Sequence, residues 1–500
     1  MVLEALVSAL AYFTDLSFLL WVMAGSMVGL ILGIIPGVGS LHAIILFLPF
    51  VFLLPVEHSI PFMLAAMSMS ANGGSITAVL MGVPGTPINT ATILDGFPMT
   101  QKGEGGRAVG AALVCSAGGG VISVILALGM VIVLLPIILA ITNAEMVFII
   151  LVGLAFIATL SRGSMTKGLI SATLGMLVAF IGYQPVTGLW RFTFGIPYLY
   201  DGLPIVCVTM GLFGLPIIID LATKRGTIAT AGTTTVGMAD VWQGAKDVFC
   251  HWWLFLRSSV IGYVVGVIPG IGGETAIWVA YGHAKQTSKY PEKFGTGVIE
   301  GVIGPESANC GREGGAALTT MALGLPGSVV MAVILGGLLI AGLNPGPQML
   351  RDDLPLTLSF LLVIAASNVF GTSIVLPLVS YVAKIASVPS RILVPLLITI
   401  IFVGIFIYAE RVADLVVMLI FTAVGLAMVK FDFNRVPFLI AYVLGFRFEH
   451  FFFMSIGLHG PLFFTRPISL ALIFLFIMAV FYGPISKVIK RWFQRGVKPQ

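Results

Sequence analysis

The chain of 500 residues is 58 % apolar and 9 % charged, where soluble domains run at about 45–50 % and about 25 %. Its 26 Lys and Arg and 21 Asp and Glu are too few to coat a soluble surface, which excludes a soluble enzyme, a nucleic-acid binder and a disordered scaffold. The net charge of +5 is too small to mark a polyanionic partner.

Residues 16–56, 58–94, 108–144, 314–350 and 354–383 hold no Asp, Glu, Lys or Arg. Each run exceeds the roughly 20 apolar residues that cross a bilayer as a helix. None alternates polar with apolar as an outer-membrane barrel strand does. Apolar blocks fall near 17–35, 41–55, 61–82, 107–135, 146–160, 165–182 and 203–220, then near 252–268, 273–283, 311–342, 355–384, 391–408, 412–429, 433–446 and 467–486. This predicts an all-α polytopic membrane protein of about 11–12 transmembrane helices. The polar stretch between the two sets, 223–251, reads as a cytoplasmic linker between a first transmembrane repeat, 1–222, and a second, 252–466. A last helix and a basic tail fill 467–500. That tail carries Lys487, Lys490, Arg491, Arg495 and Lys498 with no acid after them, so the positive-inside rule puts the C-terminus in the cytoplasm. Glu4 and Asp15, with no base before Lys102, place the N-terminus outside. The long apolar start without a basic leader is not a signal peptide.

The repeat is visible in the letters. Residues 29–39 read GLILGIIPGVG and residues 262–272 read GYVVGVIPGIG, at an offset of 233. Gly73-Gly74 then precedes Gly82-Val83-Pro84-Gly85-Thr86, as Gly314-Gly315 precedes Gly324-Leu325-Pro326-Gly327-Ser328. An odd number of spans in the first copy inverts the second, giving an inverted-topology repeat. The loop with Lys285, Lys289 and Lys293 leaves one choice open. A through-span at 252–283 puts it outside, and a hairpin at the PGIG break returns it inside.

Gly29, Gly33, Gly262 and Gly266 have the spacing of close helix–helix packing. The Pro-Gly pairs do more, because proline removes an N–H and glycine permits backbone that no helix needs. Four such breaks, at Pro36–Gly39, Pro84–Pro87, Pro269–Gly273 and Pro326–Gly327, lie in apolar sequence. Broken helices or re-entrant segments survive in a bilayer only where they are buried in protein or line a wet cavity. Paired breaks in two halves point to a transporter site. Half-helix N-termini there favour an anion. The candidate substrate-binding residues are therefore Gly37, Gly39 and Ser40; Gly73, Gly74 and Ser75; Gly85 and Thr86; Gly270, Gly272 and Glu274; Asn309 and Arg312; and Gly327 and Ser328. Ser75, Thr86, Asn309 and Ser328 are the candidate ligands of a coupling cation. Arg312 is the candidate partner of a substrate carboxylate, with Glu313 or Glu274 as counter-ion, since a lone intramembrane charge costs about 2.5–3.5 kcal/mol. A Glu–Arg pair that only fixes packing explains the same charges.

Other chemistry is missing from the sequence. Cys115, Cys207, Cys250 and Cys310 form no C-x-x-C, and the six histidines form no H-E-x-x-H. There is no nucleophile elbow and no Walker motif. No catalytic residues, metal ligands or organic cofactor are expected, and any active transport must be driven by a gradient, with Na+ or H+ as the candidate coupling cation, or by another subunit.

The stretches GLILGIIPGVG, NGGSITAVLMGVPGTP, ILDGFPMTQKGEGGRAVG, WRFTFG, RSSVIGYVVGVIPGIG, GVIEGVIGPESAN, MALGLPGS and NPGPQML resemble the large membrane subunit of tripartite tricarboxylate transporters (TctA-like), over nearly the whole length. The resemblance implies a permease of the bacterial inner membrane. It would import a di- or tricarboxylate by cation symport with a small TctB-like membrane subunit and a periplasmic TctC-like solute-binding protein. It carries over to Pro36, Gly37 and Gly39; to Gly73, Gly74 and Ser75; to Pro84, Gly85 and Thr86; to Pro269, Gly270 and Gly272; to Pro305, Glu306, Ala308 and Asn309; and to Pro326, Gly327 and Ser328. Departures fall at Ser40, where the family usually has proline, at Cys310-Gly311-Arg312-Glu313, where it has a second Asn and small residues, and at Glu274. An anion channel of the same fold and a membrane-embedded enzyme are the alternative readings.

Overall fold

The computed structural model describes residues 2–35, 38–160, 164–223, 237–269, 273–382, 390–409 and 411–480. The expected Pro36 and Gly37, Gly270 and Gly272, residues 224–236 of the linker and the basic tail lie outside them. The side chain of Glu274 does too.

Helices dominate, in two compact units. The first unit takes residues 1–136 and 206–423. Its helices begin with α1 (Val2–Ala11), α2 (Leu16–Ile34), α3 (Gly39–Phe47), α4 (Val56–Met81), α5 (Thr90–Gln101) and most of α6 (Gly105–Leu139). The second unit takes 137–205 and 424 onward, beginning with α7 (Asn143–Leu160), α8 (Met165–Ala179) and a two-stranded antiparallel hairpin of β1 (Gly182–Gln184) and β2 (Leu189–Arg191). The chain returns to the first unit with α9 (Ile205–Thr209), α10 (Leu215–Thr223), α11 (Met238–Cys250), α12 (Trp252–Val267), α13 (Gly273–Thr287), α14 (Glu300–Gly311), α15 (Glu313–Leu323), α16 (Val329–Ile340), α17 (Pro347–Arg351), α18 (Leu354–Val382), α19 (Ser390–Ala409) and the start of α20 (Val412–Lys430). The second unit continues with the end of α20, α21 (Arg435–His459) and α22 (Pro467–Val480).

Seven described helical stretches are long and apolar enough to cross a membrane, eight if α11 and α12, bent by 80°, count as one. The remaining apolar segments are helices of 10–17 residues. Pro-Gly breaks precede two of these shorter pieces, Gly39–Leu53 and Val329–Ile340, so block-counting and span-counting differ. The fold is all-α and polytopic. Where the sequence suggests only a linker, α11 lies at 80° to α12 with Trp242 and Phe249 exposed, the posture of an amphipathic helix lying in the membrane interface. Arg107 at the start of α6 holds it through Asp247, Nε to Oδ2 at 2.5 Å.

Glycine spacing sets the first unit's core. On α2, Gly25, Gly29 and Gly33 sit against the backbone of Phe62, Ala66 and Ser70 of α4. Both numbers climb by four at each step, so α2 and α4 run parallel. On α12, Gly262 and Gly266 meet Ala308 and Arg312 in the same way. Ala66 and Ala308 differ by 242, as do Ser70 and Arg312, and Gly82 and Gly324. Those last two glycines end α4 and α15 with φ of +65° and +68°, a left-handed cap that favours glycine. The structure thus extends the repeat across α4 and α14–α15, with nine residues inserted before α14 in the second copy. These equivalent helices touch through Ser68 with Glu313 and Ser75 with Glu306. One number falls by seven as the other rises by seven, so they run antiparallel. Two copies of one unit whose central helices oppose each other are an inverted repeat.

The window of α4 that would cross the membrane is wholly buried. Its surroundings are other helices rather than lipid, so it accommodates Ser68, Ser70, Asn72 and Ser75 where a lipid-facing helix would be apolar.

In the second unit, Gly175 of α8 packs on the Phe438 backbone of α21. Arg191 of the hairpin pairs with both carboxylate oxygens of Glu449, and Glu145 receives Arg466 at 3.0 Å.

Candidate functional site

Arg312 lies at the joint between α14 and α15, opposite the position that Ser70 holds in the first copy. It is 5 % exposed. Its side chain passes so close to Gly273, the first residue of α13, that a Cβ there would lie 2.5 Å from Cζ. A guanidinium is thereby set against the N-terminal end of a helix, and both are positive. Its Nε has no hydrogen-bond partner, and among the described residues no carboxylate pairs with it. Glu313 turns instead to Ser68 Oγ at 2.5 Å and Asn368 Nδ2 at 3.4 Å, leaving its Oε1 unpartnered. Two positive ends that face each other repel. An incoming carboxylate satisfies both, and Arg presents the fork that suits it. In the first copy the counterpart of Gly273 is Ser40, in the first turn of α3, and its Oγ is buried and unpartnered. Ser70 Oγ is unpartnered as well.

A second constellation surrounds Glu306 on α14. Its Oε1 accepts from Thr92 Oγ1 at 2.6 Å, and its Oε2 from Ser75 Oγ at 2.7 Å, Ser116 Oγ at 2.9 Å and Asn309 Nδ2 at 3.2 Å. Asn89 Nδ2 donates to Ser75 Oγ at 2.9 Å, and Thr86 Oγ1 donates to Asn89 Oδ1 at 2.5 Å. This chain of bonds runs from the Pro84-Gly85-Thr86 break to the buried carboxylate. Of the cation-ligand candidates, Ser75, Thr86 and Asn309 come together in this network. Ser328 instead caps α16, accepting from the Met331 N–H at 3.2 Å.

The glycines divide by neighbour. Gly39, at φ +64°, faces Thr86. Gly74 faces Asn89, on the edge of the Glu306 network. Gly73 lies on the α2 backbone, and Gly85 and Gly327 are enclosed by backbone where helices cross.

Sequence reading reached Glu306 only through the family resemblance. It missed Thr92, Ser116, Asn89, Asn72 and Asn368. Ser116 and Asn368 lie in the apolar helices α6 and α18, Asn72 lies among other polar residues of α4, and Asn89 and Thr92 lie at the start of α5, so no single pattern marks them. It also missed Asp95 of α5, which accepts from Tyr281 Oη at 2.9 Å and from the N–H groups of Gly295, Gly297 and Val298 at 2.9, 2.9 and 3.1 Å. Replacing Asp95 by Ala removes all four hydrogen bonds to this buried carboxylate and is expected to cost about 3 kcal/mol or more. Replacing Tyr281 by Phe removes one donor and should cost about 1 kcal/mol. Thermal unfolding in detergent checks the order, and equal losses would contradict it.

The sequence model of the Tripartite tricarboxylate transporter TctA family matches residues 19–440. An uncharacterised 52.8 kDa protein in the TAR-I ttuC' 3'region of Agrobacterium vitis is 29 % identical over 432 residues, covering 85 % of this chain and 84 % of that protein. An uncharacterised protein in the TAR-II ttuC' 3'region of the same organism is 30 % identical over 230 residues, 45 % of this chain and 95 % of that one. No solved structure matches. With a family match spanning both copies of the inverted repeat and all four breaks, the chain belongs to the tripartite tricarboxylate transporter TctA family.

Proposed function

We propose that the chain is the permease of a secondary transporter that imports a di- or tricarboxylate with Na+ or H+ across the bacterial inner membrane. A periplasmic TctC-like protein delivers the solute, a small TctB-like subunit accompanies the permease, and the C-terminus is cytoplasmic. The observation that carries the reading is Arg312, buried at the joint of α14 and α15 against the N-terminal end of α13 with its Nε unpartnered. That is a place for an anion within an inverted repeat.

Energetics supply the coupling. A trianion entering a cell that is negative inside opposes about 2.3 kcal/mol per charge per 100 mV, so about 7 kcal/mol at that potential. The sequence carries no nucleotide-binding motif to drive this. Co-entry of three monovalent cations cancels the electrical term, and a fourth makes it favourable. The test is uptake into proteoliposomes under imposed Na+ or H+ gradients, with and without the binding protein. Uphill, saturable uptake that needs one gradient and the binding protein is expected. Uptake by this chain alone, indifferent to both gradients, overturns the reading.

A further inference from the structure

We propose that Glu306, Asn309, Ser75, Thr92 and Ser116 form a binding site for one sodium ion, separate from the anion site at Arg312. Glu306, Asn309, Ser75, Thr92 and Ser116 are all fully buried. Among the described residues no basic side chain pairs with Glu306. Its charge is met only by three hydroxyls and an amide. Such a carboxylate in a membrane interior calls for a positive charge.

The donors say which charge. A proton needs one carboxylate oxygen. Here three hydroxyl oxygens and an amide gather around the carboxylate. Hydroxyl hydrogens rotate, so each hydroxyl that now donates to Glu306 can turn a lone pair toward a cation. Asn309 Oδ1 is a buried acceptor with no partner, while its Nδ2 already reaches Glu306 at 3.2 Å. An orphaned acceptor costs about 1–3 kcal/mol. A cation beside the carboxylate relieves it. Oxygen-only ligands suit a hard cation. A single carboxylate balances one positive charge rather than the two of Ca2+ or Mg2+.

Ligands come from both copies. Ser75, Thr92 and Ser116 lie on α4, α5 and α6, and Glu306 and Asn309 lie on α14. A bound ion therefore joins the halves of the inverted repeat. Glu306 and Arg312 are six residues apart on one helical run, about 9 Å along its axis. Filling one site sets the charge seen at the other. Only this last clause, that the ion is coupled to the anion, rests on the proposed transport function.

The experiment is thermal unfolding of the purified full-length protein in detergent, titrated with NaCl, KCl or choline chloride at constant ionic strength, with no organic anion present. A saturable rise in Tm with Na+, absent with K+ and choline, is expected. Glu306→Gln should abolish the Na+ response. Ser116→Ala and Thr92→Val are run beside it as milder substitutions that keep the carboxylate. Each should raise the half-saturating Na+ concentration about tenfold or more. Arg312→Gln should retain a saturable Na+ response and, with a positive charge removed from the same helical run, reach half-saturation at lower Na+. A Na+ rise that survives in folded Glu306→Gln, or that is unchanged in Ser116→Ala and Thr92→Val, overturns the site. A Tm that follows pH alone and ignores Na+ overturns it as well, because the carboxylate then carries a proton. Na+ stabilisation with gradient-independent uptake in proteoliposomes leaves the site standing and sinks the transport reading instead.

Discussion

Replacing Arg312 by Gln raises the apparent KM for the organic anion by at least thirtyfold, because losing a buried charge partner costs about 2–5 kcal/mol. Gln keeps a hydrogen-bonding head of similar length but no charge. Arg312→Lys restores the charge without the planar fork, so it should recover only part of the affinity. The effect belongs in KM measured with saturating binding protein, or in direct titration of the detergent-purified protein with di- and tricarboxylates. The packing alternative gives a different pattern. If Arg312 only braces the joint between α14 and α15, Arg312→Gln lowers Tm and leaves anion affinity where it was. The geometry favours the first outcome, because the buried Arg312 Nε has no hydrogen-bond partner. Glu313, the counter-ion suggested by adjacency, spends its hydrogen bonds on Ser68 and Asn368.

Much of this architecture is legible in the letters, because it rests on glycine and proline. Uncharged runs announce the membrane, and the PGxG pair announces the duplication. The spacing of Gly29 and Gly33 announces the face of α2 that meets α4. What cannot be read is which polar residues meet. Ser75, Thr92, Ser116 and Glu306 lie on four helices and are up to 231 residues apart. No local periodicity relates them. The second offset was hidden for a related reason. The nine residues inserted before α14 shift the register from 233 to 242, so Ser70 and Arg312 do not align with the motifs that precede them. Arg312 therefore looks like a charge beside a motif when it occupies the middle of the second repeat. Chemistry that arises where helices meet needs the packing, whereas chemistry carried by the backbone of one segment does not.

Gly85→Ala is expected to eliminate folded protein. A Cβ at Gly85 would lie 2.5 Å from the Gly33 carbonyl oxygen and 2.9 Å from Thr77 Oγ1, and would press on the Cα of Gly74 as well. Two of these three neighbours are backbone, fixed by the α2–α4 crossing, so a rotamer change cannot make room. Overpacking of this kind stands with the large destabilisations, about 4–5 kcal/mol or more, against a total stability of about 5–15 kcal/mol. The equivalent Gly327 gives an internal comparison. Its Cβ would meet Ala316 Cα at 2.7 Å and the Gly266 carbonyl oxygen at 2.8 Å. Gly327→Ala should therefore damage folding in the same direction but less severely. Gly129 of α6 is the control, since a Cβ there meets nothing within 4 Å. Removing glycine from a helix interior should raise stability by about 0.5–1 kcal/mol. The measurement is the monodisperse fraction on size exclusion after detergent extraction, followed by Tm of whatever elutes. The order Gly129→Ala, wild type, Gly327→Ala, Gly85→Ala, from most to least stable, is the expected result. Monodisperse Gly85→Ala at wild-type yield would mean that the break does not pack into the helix crossing.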